Sequence, residues 1–289
     1  MISADKKYIL FTLITFCIIV FNSYSFSQIN LKEGLKTQFN LAKEIYNKEE
    51  YFDAITELKR LLFFDKENQY AYSANKLIGE SYKKGAKFSD AIQYFFIAGL
   101  HASSNQQLFN TKIGIVKINI LRRTISRAFT LLDSLETDER FVSKKNEITY
   151  WRGWAYIFDD KWDRAAEEFN KIDSGSELKK ISEKVENERY SVLKAKILSF
   201  IIPGAGQFYT GNYISGILSL GWNLLWGYIT VNAFIENRIF DGIAVGELLW
   251  LRFYRGNLQN AEKFAEEKNR ELSNKTMEYL QLNYNGEKP

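Results

Sequence analysis

The chain has 289 residues, 46% of them hydrophobic and 26% charged, a folded rather than a disordered composition. A single histidine, His101, and a single cysteine, Cys17, exclude by count both a cluster of His/Cys metal ligands and a disulfide framework. The net charge of +4 is spread along the chain without a Lys/Arg cluster flanked by stacking aromatics, which argues against nucleic acid as a partner.

Ala, Leu, Glu and Lys at helical spacing, with Pro203 the one internal proline, predict an all-α protein. At the N-terminus, Lys6 and Lys7 precede an apolar run from Tyr8 to Phe21, and Ser25 and Ser27 stand before a cleavage point at Gln28. This predicts a secretory signal peptide over residues 1–27, with an uncleaved signal anchor as the rival reading. Loss of Cys17 with the signal would leave no thiol in the mature chain, which suits an oxidising envelope compartment.

Four segments over residues 28–175 align on one alanine each, "YFDAITELKRLL" on Ala54, "FSDAIQYFFIAGL" on Ala91, "ISRAFTLLDSL" on Ala128 and "WDRAAEEFNKI" on Ala165, at thirty-seven-residue intervals. Gly79 and Gly153 lie twelve residues before their alanines, and Tyr82 and Tyr156 nine before. A fixed period of this size predicts stacked helical pairs in which the small residues sit where helices nearly touch.

The pattern resembles the tetratricopeptide repeat, although its period is three residues longer than the family's 34 and the proline that commonly ends each repeat is missing. Longer loops between repeats are therefore expected. The resemblance implies a peptide groove formed by the first helices, with Phe39, Lys43, Lys76, Glu80, Ile113, Lys117, Tyr150 and Trp154 in the groove-facing positions. That mixture of apolar and basic groups suits a peptide with aromatic or acidic side chains. Packing of Tyr150 and Trp154 against a neighbouring helix is the competing assignment.

Residues 176–198 carry Ile181, Val185 and Val192 along one helical face and are expected to cap the solenoid. From Ile214 to Ile235 no residue is charged, and a helix of that length, roughly 33 Å, would cross a bilayer core. A second apolar run, Ile239 to Tyr254, contains Asp241, Glu247 and Arg252. The expected object is a membrane hairpin over residues 199–257, followed by an amphipathic helix and tail over residues 258–289. Gly242 and Gly246 form a G-x-x-x-G pair suited to close helix approach or to a homo-oligomer. Glu247, a carboxylate within a span, is expected to act as a polar clamp with Asn223 or Arg252.

The stretch "IIPGAGQFYTGNYISGI", with the later "RFYRGNLQNAEKFAEEKN", resembles the P-G-x-G-Q-x-Y-x-G hairpin module of uncharacterised bacterial membrane proteins, and more loosely the two-transmembrane-domain family. Its matching residues are Pro203, Gly204, Gly206, Gln207, Tyr209, Gly211, Arg252, Tyr254, Gly256, Asn257 and Asn269. The resemblance implies an architecture and no activity. Pro203 and its glycines predict a corner that turns the last solenoid helix into the hairpin.

No nucleophile–base–acid constellation is visible, and no cofactor or metal is expected. The functional expectation is a non-enzymatic, membrane-anchored scaffold that binds a protein or peptide in the bacterial cell envelope. The alternative is an accessory subunit of a transport or channel assembly that acts through its hairpin. The signal peptide places the repeats in the periplasm beside the inner membrane, whereas Lys194, Lys196, Arg252, Arg255 and Lys263 around the hairpin favour the opposite orientation.

Overall fold

A computed structural model of the chain describes residues 32–289, and these are helical with no strand among them. The signal peptide expected over residues 1–27, with Cys17, lies outside the described residues. Two compact units divide the chain, one ending at Asp159 and the other running from Asp160 to Lys288. The division falls just before the fourth aligned segment rather than after residue 175.

The first unit contains α1 (32–47), α2 (Tyr51–Phe64), α3 (Ala71–Lys84), α4 (Phe88–Leu100), α5 (Asn105–Leu121), α6 (Ile125–Glu136) and α7 (Lys145–Phe158). Successive helices from α2 to α7 pack on one another, and α5 also meets α3 and α7. Ala54, Ala91 and Ala128 are fully buried at these contacts, and Ala165 is equally buried in the second unit. The Phe95 ring shows why small residues are needed, because a Cβ added at Gly79 would come within 3.0 Å of it and one at Gly114 within 2.6 Å.

Helix pairs close by one repeated turn. Glu49, Ala86, Arg123 and Asp160 have φ of 65, 56, 57 and 60°, again thirty-seven residues apart. In the first three, the next N–H reaches back to the carbonyl of Ile45 (3.3 Å), Tyr82 (2.8 Å) or Asn119 (2.9 Å). Such a Schellman closure satisfies carbonyls that a helix end leaves open. The following helix starts one residue later, at Tyr51, Phe88 or Ile125. Longer connections, 65–70, 101–104 and 137–144, join one closed pair to the next.

The second unit contains α8 (Trp162–Phe169), α9 (Ser176–Glu188), α10 (Val192–Ile201), α11 (Ala205–Tyr209), α12 (Tyr213–Ile235), α13 (Ile239–Val245) and α14 (Leu251–Asn283). The same closure recurs at Gly211, where Asn212 N–H meets Gln207 O at 2.8 Å, and at Asn237, where Arg238 N–H meets Ala233 O at 2.8 Å.

Two expectations are corrected here. Residues 176–198 are not one helix, because Arg189 is extended (ψ 141°) and Ser191 caps a new helix by accepting from Lys194 N–H at 3.2 Å. Nor does the hairpin end at residue 257, since α13 passes through one π-helical turn, Gly246–Trp250, into α14 without leaving helical geometry. No proline or left-handed residue interrupts it, so a single helix of about 67 Å runs from Ile239 to Asn283 at 1.5 Å per residue.

Within the second unit α12 packs on α13. A Cβ at Gly242 would lie 2.9 Å from Phe234, and one at Gly246 would lie 3.1 Å from Thr230. Both glycines of the G-x-x-x-G pair therefore face the chain's own α12. Of the described helices α12 is the one long and apolar enough to cross a membrane, with a mean hydropathy of 1.3, and 17% of its most apolar stretch is buried.

Candidate functional site

In the first unit, the predicted groove residues separate into two sets. Ile113 and Trp154 are 3% and 2% exposed, so they belong to the core and not to a groove surface. Phe39 packs against Tyr70, with ring centroids 5.2 Å apart, and Lys43 extends over Phe39 at 6.0 Å. Lys43 is exposed, while Lys76, Glu80, Lys117 and Tyr150 are half-buried. Lys117 of α5 lies 4.2 Å over the Trp151 ring of α7, and Tyr150 meets Trp151 edge-on at 5.1 Å.

Two residues that the repeat pattern did not single out complete the row. Glu80 pairs with Lys83 at 3.5 Å. Burial pushes the Lys83 ammonium below its ordinary value, the Glu80 carboxylate works against that, and the Lys117 charge adds to the lowering. The Tyr46 phenol of α1 is pushed up by burial first and then by Glu80 and Tyr51. Tyr46 and Lys83 each lie three positions beyond a predicted groove residue, on the same helical face, which is the signal that would have found them. The result is a row of aromatic and charged groups across α1, α3, α5 and α7.

In the second unit, the two halves of the Pro-Gly motif meet in one hydrogen-bonded knot. A carbonyl in a helix normally accepts from the N–H four residues on, but the partner of Ser199 is Pro203, which has none. Asn257 Nδ2 donates to that carbonyl at 2.8 Å, and Tyr254 O–H donates to the neighbouring Phe200 carbonyl at 2.7 Å. Asn257 Oδ1 accepts from Gly204 N–H (2.8 Å), Gln207 Nε2 (3.1 Å) and Ser219 Oγ (2.9 Å). Ser199 Oγ in turn accepts from Gly206 N–H at 2.8 Å and donates to Gln207 Oε1 at 2.9 Å. Ser199 and Gln207 are fully buried and Asn257 is 1% exposed.

Glycine is demanded at two of these positions. Gly204 has a φ of 93°, and a Cβ there would stand 2.3 Å from the Gly216 carbonyl; one at Gly206 would stand 2.2 Å from the Ala195 carbonyl. The corner expected at Pro203 is therefore a solid joint of α10, α11, α12 and α14. Gln207 also donates to the Asn257 backbone carbonyl at 3.0 Å from its buried position. Tyr209 accepts from Ser191 N–H at 3.2 Å.

Further along α14, Asn269 accepts from Tyr190 N–H at 2.8 Å and donates to Tyr190 O at 2.9 Å, which satisfies the backbone at the α9–α10 break. One turn beyond, Ser273 donates to Asp160 at 2.6 Å, and that carboxylate also accepts from Trp162 Nε1 (2.9 Å) and Arg189 (2.9 Å). Burial works to raise the Asp160 carboxyl, but Arg189, Ser273 and Trp162 together hold it below the usual carboxylate range.

Glu247 forms no clamp. It is exposed on the π-helical turn, while Asn223 donates to Ser219 O at 2.7 Å and Arg252 is exposed. Gly242 and Gly246 face α12, and Glu247 stands about 100° further round the helix, off that side. The chain matches no family model, no curated protein and no solved structure.

Proposed function

We propose that the chain is a membrane-anchored helical-repeat scaffold of the bacterial cell envelope. Its first unit is a tetratricopeptide-like solenoid that docks a protein segment, and its second holds that solenoid at the bilayer through α12 and the helix after it. The observation that carries this reading is the bare apolar surface of α12, where Ile214, Ile217, Leu224, Tyr228, Val231 and Ile235 are exposed. Leaving such side chains in water forgoes roughly 1.5–3 kcal/mol each relative to burial, so lipid is their natural surrounding. The buried knot at Asn257 supports it, because a polar joint sealed by its own hydrogen bonds can sit beside a bilayer without exposing backbone groups.

The row from Tyr46 to Tyr150 is the docking surface in this reading, with the buried Trp151 ring beneath it. Lys43, Lys76 and Lys117 offer charge to acidic groups, and Tyr46 and Tyr150 offer faces to aromatic ones. A photoreactive amino acid at Lys76 tests it, with one at Leu100, which is 69% exposed on α4, as the control. A discrete partner crosslinks from Lys76, not from Leu100, and is lost when Lys117 is changed to Glu. Equal crosslinking from both positions would overturn the docking assignment.

A further inference from the structure

A groove of about 840 Å³ lies between the first half of α12 and the start of α14, and Ser219 and Asn257 of the hydrogen-bonded knot border it. Its wall is aromatic: Trp222 and Phe253 stack with centroids 5.5 Å apart and planes 12° apart, and Trp226 continues the stack. Ser215, Arg252 and Asn260 line its polar side. Arg252 is exposed and has no ion pair or hydrogen bond among the described residues. The first turn of α12 borders the same groove and has no side-chain cap. Uncapped N–H groups and a guanidinium together favour an anion.

Asn223 is the independent observation. It lines the groove, is 4% exposed, and its Oδ1 has no hydrogen-bond partner although its Nδ2 is used. A buried acceptor without a donor costs free energy, and the side chain that carries it lines a groove large enough to bring one. The occupant must therefore combine an anion for Arg252, a hydrogen-bond donor for Asn223 and an apolar chain for Trp222 and Phe253.

We infer that this groove binds one phospholipid whose headgroup carries hydroxyl or ammonium donors, of the phosphatidylglycerol kind. The phosphate meets Arg252, a headgroup donor meets Asn223, and an acyl chain lies along the aromatic wall. Choline headgroups supply no donor and are disfavoured. Free phosphate shares the anion chemistry but leaves Asn223 and the aromatic wall unmet. The inference rests on the membrane reading above.

Native mass spectrometry of the detergent-solubilised full chain, equilibrated with phosphatidylglycerol, phosphatidylcholine or soluble glycerol 3-phosphate, tests it. One phosphatidylglycerol is retained in preference to phosphatidylcholine, and Arg252→Gln lowers retention about tenfold, the loss of one charge-assisted contact. Asn223→Leu narrows the preference between the two lipids. Arg252 is exposed, so its variant folds whatever becomes of Asn223→Leu. Equal retention of both lipids, retention unchanged in Arg252→Gln, or retention of glycerol 3-phosphate in place of lipid would each overturn the inference. Flotation of every variant with vesicles separates this from the anchor itself: a chain that floats without discriminating lipids sinks the groove alone, and a chain that does not float sinks the membrane reading.

Discussion

Asn257→Ala removes the side chain that joins four helices, and its cost can be worked from the bonds it makes. Gln207 keeps the Asn257 carbonyl at 3.0 Å, and Ser219 Oγ is free to turn toward its own helix. Two buried backbone groups have no such recourse: the Ser199 carbonyl, whose helical donor would have been Pro203, and the Gly204 N–H. At about 1–3 kcal/mol for each buried group left unsatisfied, the substitution destabilises the second unit by about 4 kcal/mol. For a unit running from Asp160 to Lys288 that corresponds to a drop of about 15 °C in Tm. Thermal unfolding of the detergent-solubilised chain, followed by tryptophan fluorescence, reads it through Trp222, Trp226 and Trp250 nearby. Asn260→Ala, at an exposed position one turn away, is the control and leaves Tm unchanged. If Asn257→Ala costs less than about 1 kcal/mol, or matches the control, the joint is not held as described.

Ala86→Gly relieves a left-handed residue (φ 56°) and raises stability by about 0.5–1 kcal/mol in denaturant unfolding, after allowance for the more flexible unfolded chain. Gly114→Ala destabilises the first unit by about 1–3 kcal/mol and more than Gly79→Ala does, since its Cβ would press closer to the Phe95 ring; Phe95→Leu in the same chain restores part of the loss. Asp160 is held below its usual range, so its contribution is complete above the unfolded value of about 3.9 and is lost as pH falls through the lower folded value. Asp160→Asn, at a half-exposed site, costs about 1 kcal/mol near neutrality and flattens that acid limb of the stability profile.

The all-helical class and the alanine spacing were legible in the sequence because close helix contact admits few side chains besides Ala and Gly, and a repeated contact repeats its residue. The turns were not, for the left-handed positions are Glu49, Ala86, Arg123 and Asp160, none of them the glycine that usually marks such a turn; Gly85 stands one residue too early. The break at Arg189 is marked locally by Ser191 alone, the cap of the next helix, while the pairing of the Tyr190 backbone with Asn269, far along the chain, has no local signal. In the candidate groove, repeat position told which side of the helix Ile113 and Trp154 occupy but not how deep they lie. The Pro203 corner was visible, whereas the reason Asn257 and Tyr254 accompany it emerged once the missing proline N–H was matched to its substitutes. Glu247 was misassigned although the positions of Gly242 and Gly246, the residues that face α12, already set it about 100° off that side.

Spin labels at Leu224, Tyr228 and Val231, each introduced as a cysteine in a Cys17→Ser background of the vesicle-reconstituted chain, address the anchor most directly, with Phe52 of the first unit as the aqueous reference. The account predicts that relaxation at the three α12 positions responds to oxygen, which partitions into lipid, and that Phe52 responds to a water-soluble nickel chelate. Nickel accessibility at Leu224, Tyr228 and Val231 equal to that at Phe52 would contradict it.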